Sequence, residues 1–113
     1  SYAMHAKAPE SICHTYTEQD PVCPTKVTGN WLGGGVCNLV SKGFLLNVPN
    51  AEVAIQNRGG CRTEIFEGDV TFGAVFDILP FSNTLGTFEM TGEEIRLVLE
   101  DAVNFFLDPV SLP

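Results

Sequence analysis

The sequence predicts a small α/β or α+β domain in which helices cover a modest sheet. Three observations predict it. First, the chain has 113 residues, 44% of them hydrophobic and 18% charged, which suits one ordered domain with one core. Second, three stretches with helical periodicity alternate with two short strand-like runs, a pattern that folds as layers. Third, the opening third carries Pro9, Pro21, Pro24 and the triplet Gly33-Gly34-Gly35 with no sustained period. Residues 1–34 are therefore expected to be an irregular loop or former linker, and 35–113 to hold the folded part. Ser1-Tyr2-Ala3 ahead of Met4 reads as an appended scar. Trp31 is expected to anchor the loop by burying its ring.

Val36 to Leu46 reads as the first helix, with Val36, Leu39, Val40, Gly43 and Phe44 approximating one face. Asn47-Val48-Pro49-Asn50 stops it, because proline lacks a backbone donor and restricts its neighbour. Glu52 to Gln56 follows as a short buried strand, and residues 57–62 are its exit loop. Glu67-Gly68-Asp69 signals a turn. Thr71 to Leu79 is expected to be a short helix with Phe72, Val75, Phe76 and Leu79 on one side, ended by Pro80. Thr84 to Met90 alternates like a strand. Thr91-Gly92-Glu93-Glu94 is a capping box: Thr91 can accept from the Glu94 amide while the Glu94 carboxylate reaches back to the Thr91 amide. The helix after it places Ile95, Val98, Leu99, Ala102 and Phe105 or Phe106 on one face and stops before Pro109.

Charge and cysteines narrow the function classes. A formal net charge of −8, with Lys+Arg 6 against Asp+Glu 14, opposes binding to a nucleic-acid polymer, which needs clustered cations to neutralise phosphates. It does not oppose one mononucleotide, for which a single placed arginine dominates locally. No apolar run approaches the roughly 20 residues of a spanning helix. Cys13, Cys23, Cys37 and Cys61 lack CxxC spacing, and with only His5 and His14 beside them zinc is a poor fit. Disulfides fit better and point to a periplasmic, cell-envelope or extracellular location. Of three pairings, Cys13–Cys23 with Cys37–Cys61 is preferred. Buried free thiols are the competing reading for the latter two.

The stretch with most chemistry is Gln56-Asn57-Arg58-Gly59-Gly60-Cys61-Arg62, followed downstream by Leu79-Pro80-Phe81-Ser82-Asn83-Thr84. It offers a guanidinium for charge, an amide for polar edges and an aromatic face for stacking. Gly59 and Gly60 permit positive φ and close backbone approach. No nucleophile–base pair accompanies them: Asp69, Glu93 and Glu94 read as turn and cap residues, and His14 as an exposed, inert loop residue. Each candidate has a plainer alternative. Arg62 could brace its loop against Glu52 or Glu64, Phe81 could be core, and Asn57 could stabilise a turn.

Cys37-Asn38-Leu39-Val40, Val53-Ala54-Ile55-Gln56-Asn57-Arg58-Gly59-Gly60-Cys61-Arg62, Gly68-Asp69-Val70-Thr71-Phe72-Gly73, Leu79-Pro80-Phe81-Ser82-Asn83-Thr84 and Met90-Thr91-Gly92 stand in one order and spacing. Over roughly residues 35 to 106 they resemble the C-terminal domain of 5′-nucleotidases, a group that includes UDP-sugar hydrolases and 2′,3′-cyclic-nucleotide phosphodiesterases. The resemblance implies a division of labour. An N-terminal metallophosphoesterase domain, absent from this chain, holds two divalent metals and the catalytic histidine. The C-terminal domain supplies a nucleotide pocket, and domain rotation brings the two together. This chain would need no cofactor of its own and would be catalytically inactive alone. It would be the first part of the substrate-binding domain, incomplete at the C-terminus, with a second base-stacking aromatic and a ribose-binding Asp falling beyond Pro113.

By the same resemblance, Arg62 pairs with substrate phosphate or carboxyl-like oxygens, and Asn57 helps hold the substrate at the interdomain cleft. Phe81 forms one face of a base clamp, Asn83 contacts the base edge, and Gly59 and Gly60 let the backbone approach the ligand. Arg58 and Cys61 depart from the family's usual glycine and branched apolar residue. The family's upstream arginine has Lys26 as its nearest counterpart. The alternative reading is a stand-alone interaction module that has lost nucleotide binding. Apolar surface left exposed would then drive homodimerisation or domain swapping.

Overall fold

The computed structural model describes residues 6–14 and 35–107. Cys23, Lys26 and Trp31, and with them the expected Cys13–Cys23 bridge, lie outside the described residues. The chain divides into two compact units, residues 1–83 and 84–113.

The first unit is organised by an antiparallel zipper that local sequence signals did not announce. Strand β1 (Ala6–Ala8) pairs with β2 (Gly68–Val70) in the register Ala6↔Val70, Lys7↔Asp69, Ala8↔Gly68. Beyond Pro9 the two runs stay side by side. The Glu67 amide donates to Ser11 Oγ at 3.0 Å, and Ile12 and Ile65 exchange backbone bonds of 2.8 and 3.0 Å. Residues 6–14 are thus built into the fold, whereas a loop or linker was expected across 1–34. Alternation fits the pairing: Ala8 is buried, and Lys7 faces Asp69 across the exposed side, 3.8 Å apart. That pair is solvated and contributes little. Gly68 opens β2 at φ +114, a conformation that L side chains rarely adopt. The Glu67-Gly68-Asp69 signal therefore marks the start of a strand, not a free turn.

Helix α1 (Gly35–Asn47) matches its expected span within a residue at each end. Val36 is fully buried, Val40 and Phe44 are half-buried, and Leu39 points outward. Its end is closed locally. Asn47 Nδ2 donates to the Gly43 carbonyl at 2.7 Å and the Val48 amide to Phe44 at 3.0 Å, before Pro49 and the left-handed Asn50 (φ 63) turn the chain. Helix α2 (Phe72–Ile78) begins at Thr71, whose hydroxyl accepts from the Ala74 amide at 3.1 Å. Its buried residue is Ile78, flanked by half-buried Val75 and Leu79, while Phe72 and Phe76 stay more than half exposed. The helix is therefore turned by about one position from the expected Phe72–Val75–Phe76–Leu79 face.

Neither expected later strand forms. Residues 52–56 and 84–90 have no ladder partner among the described residues. An alternating run becomes a strand only when a neighbour takes its backbone donors and acceptors. The sheet among the described residues is two-stranded, accompanied by three α-helices, consistent with a small α/β domain.

Among the described residues the core is one cluster of Ala8, Val36, Cys61, Ile65 and Ile78, with Ile12, Cys37, Val40, Val70 and Leu79 packed against it. It joins β1, α1, the glycine loop and α2. Cys37 and Cys61 are bonded as a disulfide with Cα atoms 5.8 Å apart, as preferred from sequence. Closing a separation of 24 residues is worth about 3 kcal/mol on a chain-entropy model.

The second unit carries α3 (Gly92–Leu107), and its start is the expected capping box. The Thr91 amide donates to Glu94 Oε2 at 2.7 Å, and the Glu94 amide donates to Thr91 Oγ1 at 3.2 Å. One turn on, Arg96 bonds Glu93 at 3.0 Å through Nε and also reaches Glu100. Thr91→Ala is expected to cost α3 about 1 kcal/mol, seen as faster amide exchange in residues 92–96 with the first unit unchanged.

The Arg96 guanidinium also holds the Glu93 carboxyl below its ordinary value of 4.5. Lowered in the folded state, this group adds stability that is present above the unfolded value and is lost as pH falls through the lowered one. A carboxyl-carbon NMR titration should place Glu93 below 4.5, and Arg96→Met should move it back up.

Candidate functional site

The glycine loop is a 3₁₀ turn, Arg58–Gly60, set between Asn57 and Cys61. Its two closing bonds run from the Gly60 amide to Asn57 (3.0 Å) and from the Cys61 amide to Arg58 (3.2 Å). Among described residues, Gly68 is the one glycine at positive φ, so Gly59 and Gly60 do not serve the conformational role expected of them. The tight 3₁₀ turn is reached with ordinary backbone angles. Close approach does hold at Gly60, though the neighbours are the loop's own side chains. A Cβ there would sit 2.2 Å from Gln56 Nε2 and 2.9 Å from Asn57 Oδ1. At Gly59 the nearest atom would be 3.8 Å away, an ordinary contact.

Asn57 is exposed, and its side chain makes no capping bond to the turn. Instead Asn57 Oδ1 accepts from Gln56 Nε2 at 3.1 Å, across the space that Gly60 leaves open. The turn-stabilising alternative therefore has no bond behind it. Gln56 is a member of the site that residue-type reasoning missed.

Arg62 follows the disulfide-bonded Cys61. Its amide donates to the carbonyl of Ile78 at 2.9 Å, satisfying one of the orphan acceptors at the end of α2. Its guanidinium donates from Nη1 to Gly59 O at 3.2 Å and lies over the Phe81 ring, 5.7 Å from the centroid. No ion pair joins it to Glu52 or Glu64. The first unit thus brings together two candidates that stand 19 positions apart in sequence (81 − 62). At an exposed site such a contact contributes about 0.5–1 kcal/mol.

Phe81 is 54% exposed, which removes the reading of it as core. It sits where Pro80 ends the turn after α2, and Ser82 beside it holds φ 53. A non-glycine residue in that region costs of order 1 kcal/mol and re-aims the chain sharply. Asn83 is exposed and bonds to none of the other candidates. Arg58 is exposed.

His14 differs from expectation. It is half-buried, and its Nε2 lies 2.5 Å from the Cys61 carbonyl oxygen, in contact with the loop it was expected to ignore. A gap of 47 positions separates the two, and no local pattern signals such a contact. Among the described residues, no group of three His, Cys, Asp or Glu side chains could hold a metal ion, and no helix is long and apolar enough to cross a membrane.

The arrangement offers one fixed cation, one half-open aromatic ring and exposed amides, on a loop pinned at both ends. Gly60→Ala should displace the Gln56 and Asn57 amides, which are flexible chain ends, and cost about 1 kcal/mol or less in stability. Side-chain amide resonances of both residues should shift while those of α1 stay in place.

The model of the family described as "5′-nucleotidase, C-terminal domain" matches residues 11–109, so it takes in the zipper residues from Ser11 onward as well as the loop. The chain is 37% identical over 84 residues to the NAD 5′-nucleotidase of Haemophilus influenzae, covering 74% of this chain and 14% of that protein. It is 41% identical over 56 residues to a probable 5′-nucleotidase of Treponema pallidum, covering 50% and 9%. Protein UshA of Yersinia enterocolitica is 36% identical over 58 residues, covering 51% and 10%. The chain thus spans about a seventh or less of the length of these relatives. No solved structure matches significantly.

Proposed function

This chain belongs to the 5′-nucleotidase C-terminal domain family, and on that premise we propose that it recognises the nucleotide for a 5′-nucleotidase-type phosphohydrolase. The hydrolytic step belongs to a separate metallophosphoesterase domain that carries two divalent metals. Periplasmic or extracellular placement goes with the proposal, supported by the Cys37–Cys61 disulfide.

The observation that carries the reading is the Arg62 guanidinium held over the exposed Phe81 ring. A nucleotide presents an anionic phosphate and a flat base a few ångströms apart, and these two side chains offer a partner for each. Arg62 supplies charge-assisted bonds to phosphate oxygens. The uncovered part of the Phe81 ring takes the base by stacking. Asn57 and Asn83 provide amide donors and acceptors for sugar and base edges. A chain with net charge −8 repels polyanions, so selection of one small anion rests on the local Arg62 guanidinium rather than on the global field.

Titration of the chain with AMP, adenosine and inorganic phosphate, followed by amide chemical shifts, tests this. Arg62→Ala should weaken AMP about tenfold and erase its advantage over adenosine. Phe81→Ala should weaken AMP and adenosine alike by about fivefold or more and leave phosphate unchanged. Equal AMP affinity in both variants and the parent would overturn the site, as would shifts that avoid residues 57–62 and 81–83.

A further inference from the structure

We propose that His14 is a positioning residue for Arg62: it fixes the peptide unit from which the phosphate-directed guanidinium projects. The peptide joining Cys61 to Arg62 is held on both faces. Its N–H donates to Ile78 O at the end of α2, at 2.9 Å. Its C=O faces His14 Nε2 at 2.5 Å. A carbonyl can only accept, so the Nε2 nitrogen carries the proton and the neutral ring is the Nε2–H tautomer. With both ends engaged, the plane of this peptide cannot rotate, and the Cα of Arg62 is aimed in one direction.

His14 is itself rigidly placed. Ile12, two residues earlier, exchanges both backbone bonds with Ile65. Cys13 is 5% exposed, and its carbonyl accepts from the Val36 amide in the first turn of α1 at 3.1 Å. The imidazole thus reaches the loop from a segment locked to two other elements. Chain separation does the rest: a donor 47 positions away transmits the zipper's register to the glycine loop. Without it, the loop keeps its disulfide and its 3₁₀ turn, but the carbonyl after the turn loses its partner. Peptide rotation there swings Arg62 away from both Gly59 O and Phe81.

The consequence for nucleotide affinity rests on the function proposed above; the geometric claim does not. Three measurements separate them. In ligand-free wild type, long-range nitrogen–proton NMR of the imidazole should show the Nε2–H tautomer, and the Nδ1–H tautomer would overturn the proposal. Next, the Arg62 δ-protons should carry a ring-current shift from Phe81. His14→Gln, whose amide nitrogen stands near the place of Nε2, should keep that shift, while His14→Phe should lose it.

A His14→Phe protein that melts earlier yet keeps the ring-current shift would make His14 merely structural and refute the proposal. If His14→Phe does not fold, the tautomer and the His14→Gln spectrum decide, and loss of the shift in His14→Gln counts against it. Finally, AMP affinity should fall about fivefold in His14→Phe and less than twofold in His14→Gln. If wild type does not bind AMP, the functional reading fails, while the tautomer and ring-current results still decide the role of His14.

Discussion

Cys61 is the residue on which the first unit depends. Its side chain is 1% exposed and belongs to the core cluster. Its sulfur is bonded to Cys37 near the start of α1. Its amide closes the 3₁₀ turn on Arg58, and its carbonyl meets His14. One residue therefore joins the core, α1, the N-terminal segment and the candidate loop. Among the described residues the core is built on a few small and branched side chains, and in a domain of this size hydrophobic burial alone leaves a small margin. A covalent clip of about 3 kcal/mol is then a large share of what keeps a chain of this size folded.

The same node explains why a loop rich in glycine and polar residues is ordered. Loops are the mobile part of most domains because few contacts hold them. Here residues 57–62 are bounded by a turn with two backbone bonds, followed at once by a disulfide and then by the Arg62–Ile78 bond. What stays exposed is at the tips: the Asn57 amide, the Arg62 guanidinium and the Phe81 ring, held only by contacts within the loop and with each other. Rigid backbone under exposed, lightly held side-chain ends is the arrangement that lowers the entropy lost when a small ligand is captured.

Local signals in the sequence were read correctly where the physics is local. The Thr91 capping box, the span of α1 and its stop before Pro49, and the Pro80 stop after α2 each depend on residues within one helical turn. The misreadings share the opposite property. Strands were expected at 52–56 and 84–90 from alternation, but pairing needs a partner that alternation does not name. The strand at Ala6–Ala8 has an unremarkable Ala-Lys-Ala sequence and exists because Gly68–Val70 lies opposite.

The contact of His14 is illegible in the sequence for the same reason: its partner is 47 positions away. In the candidate site, the residue types were legible from motif spacing, and the Arg62–Phe81 proximity was not. That contact comes from the Arg62 amide docking on the last carbonyl of α2, which brings the two loops alongside each other. The role assigned to Gly59 and Gly60 erred in mechanism: the space at Gly60 is needed for the Gln56–Asn57 contact, not for an unusual φ.

The partners of Arg62 also bear on what the loop can capture. An arginine locked in a salt bridge must break it before meeting a new anion, and the loss offsets much of the gain. Among the described residues Arg62 has no carboxylate partner, although Glu52 and Glu64 are near it in sequence. It is parked on a neutral carbonyl and an aromatic face. Both are weak holds in an exposed setting, together of order 1–2 kcal/mol. A bidentate pair with phosphate oxygens is stronger than either. Under the proposed nucleotide-binding role, the guanidinium is held well enough to be aimed and loosely enough to transfer, and an acidic chain would gain a local anion site without giving up its overall negative charge.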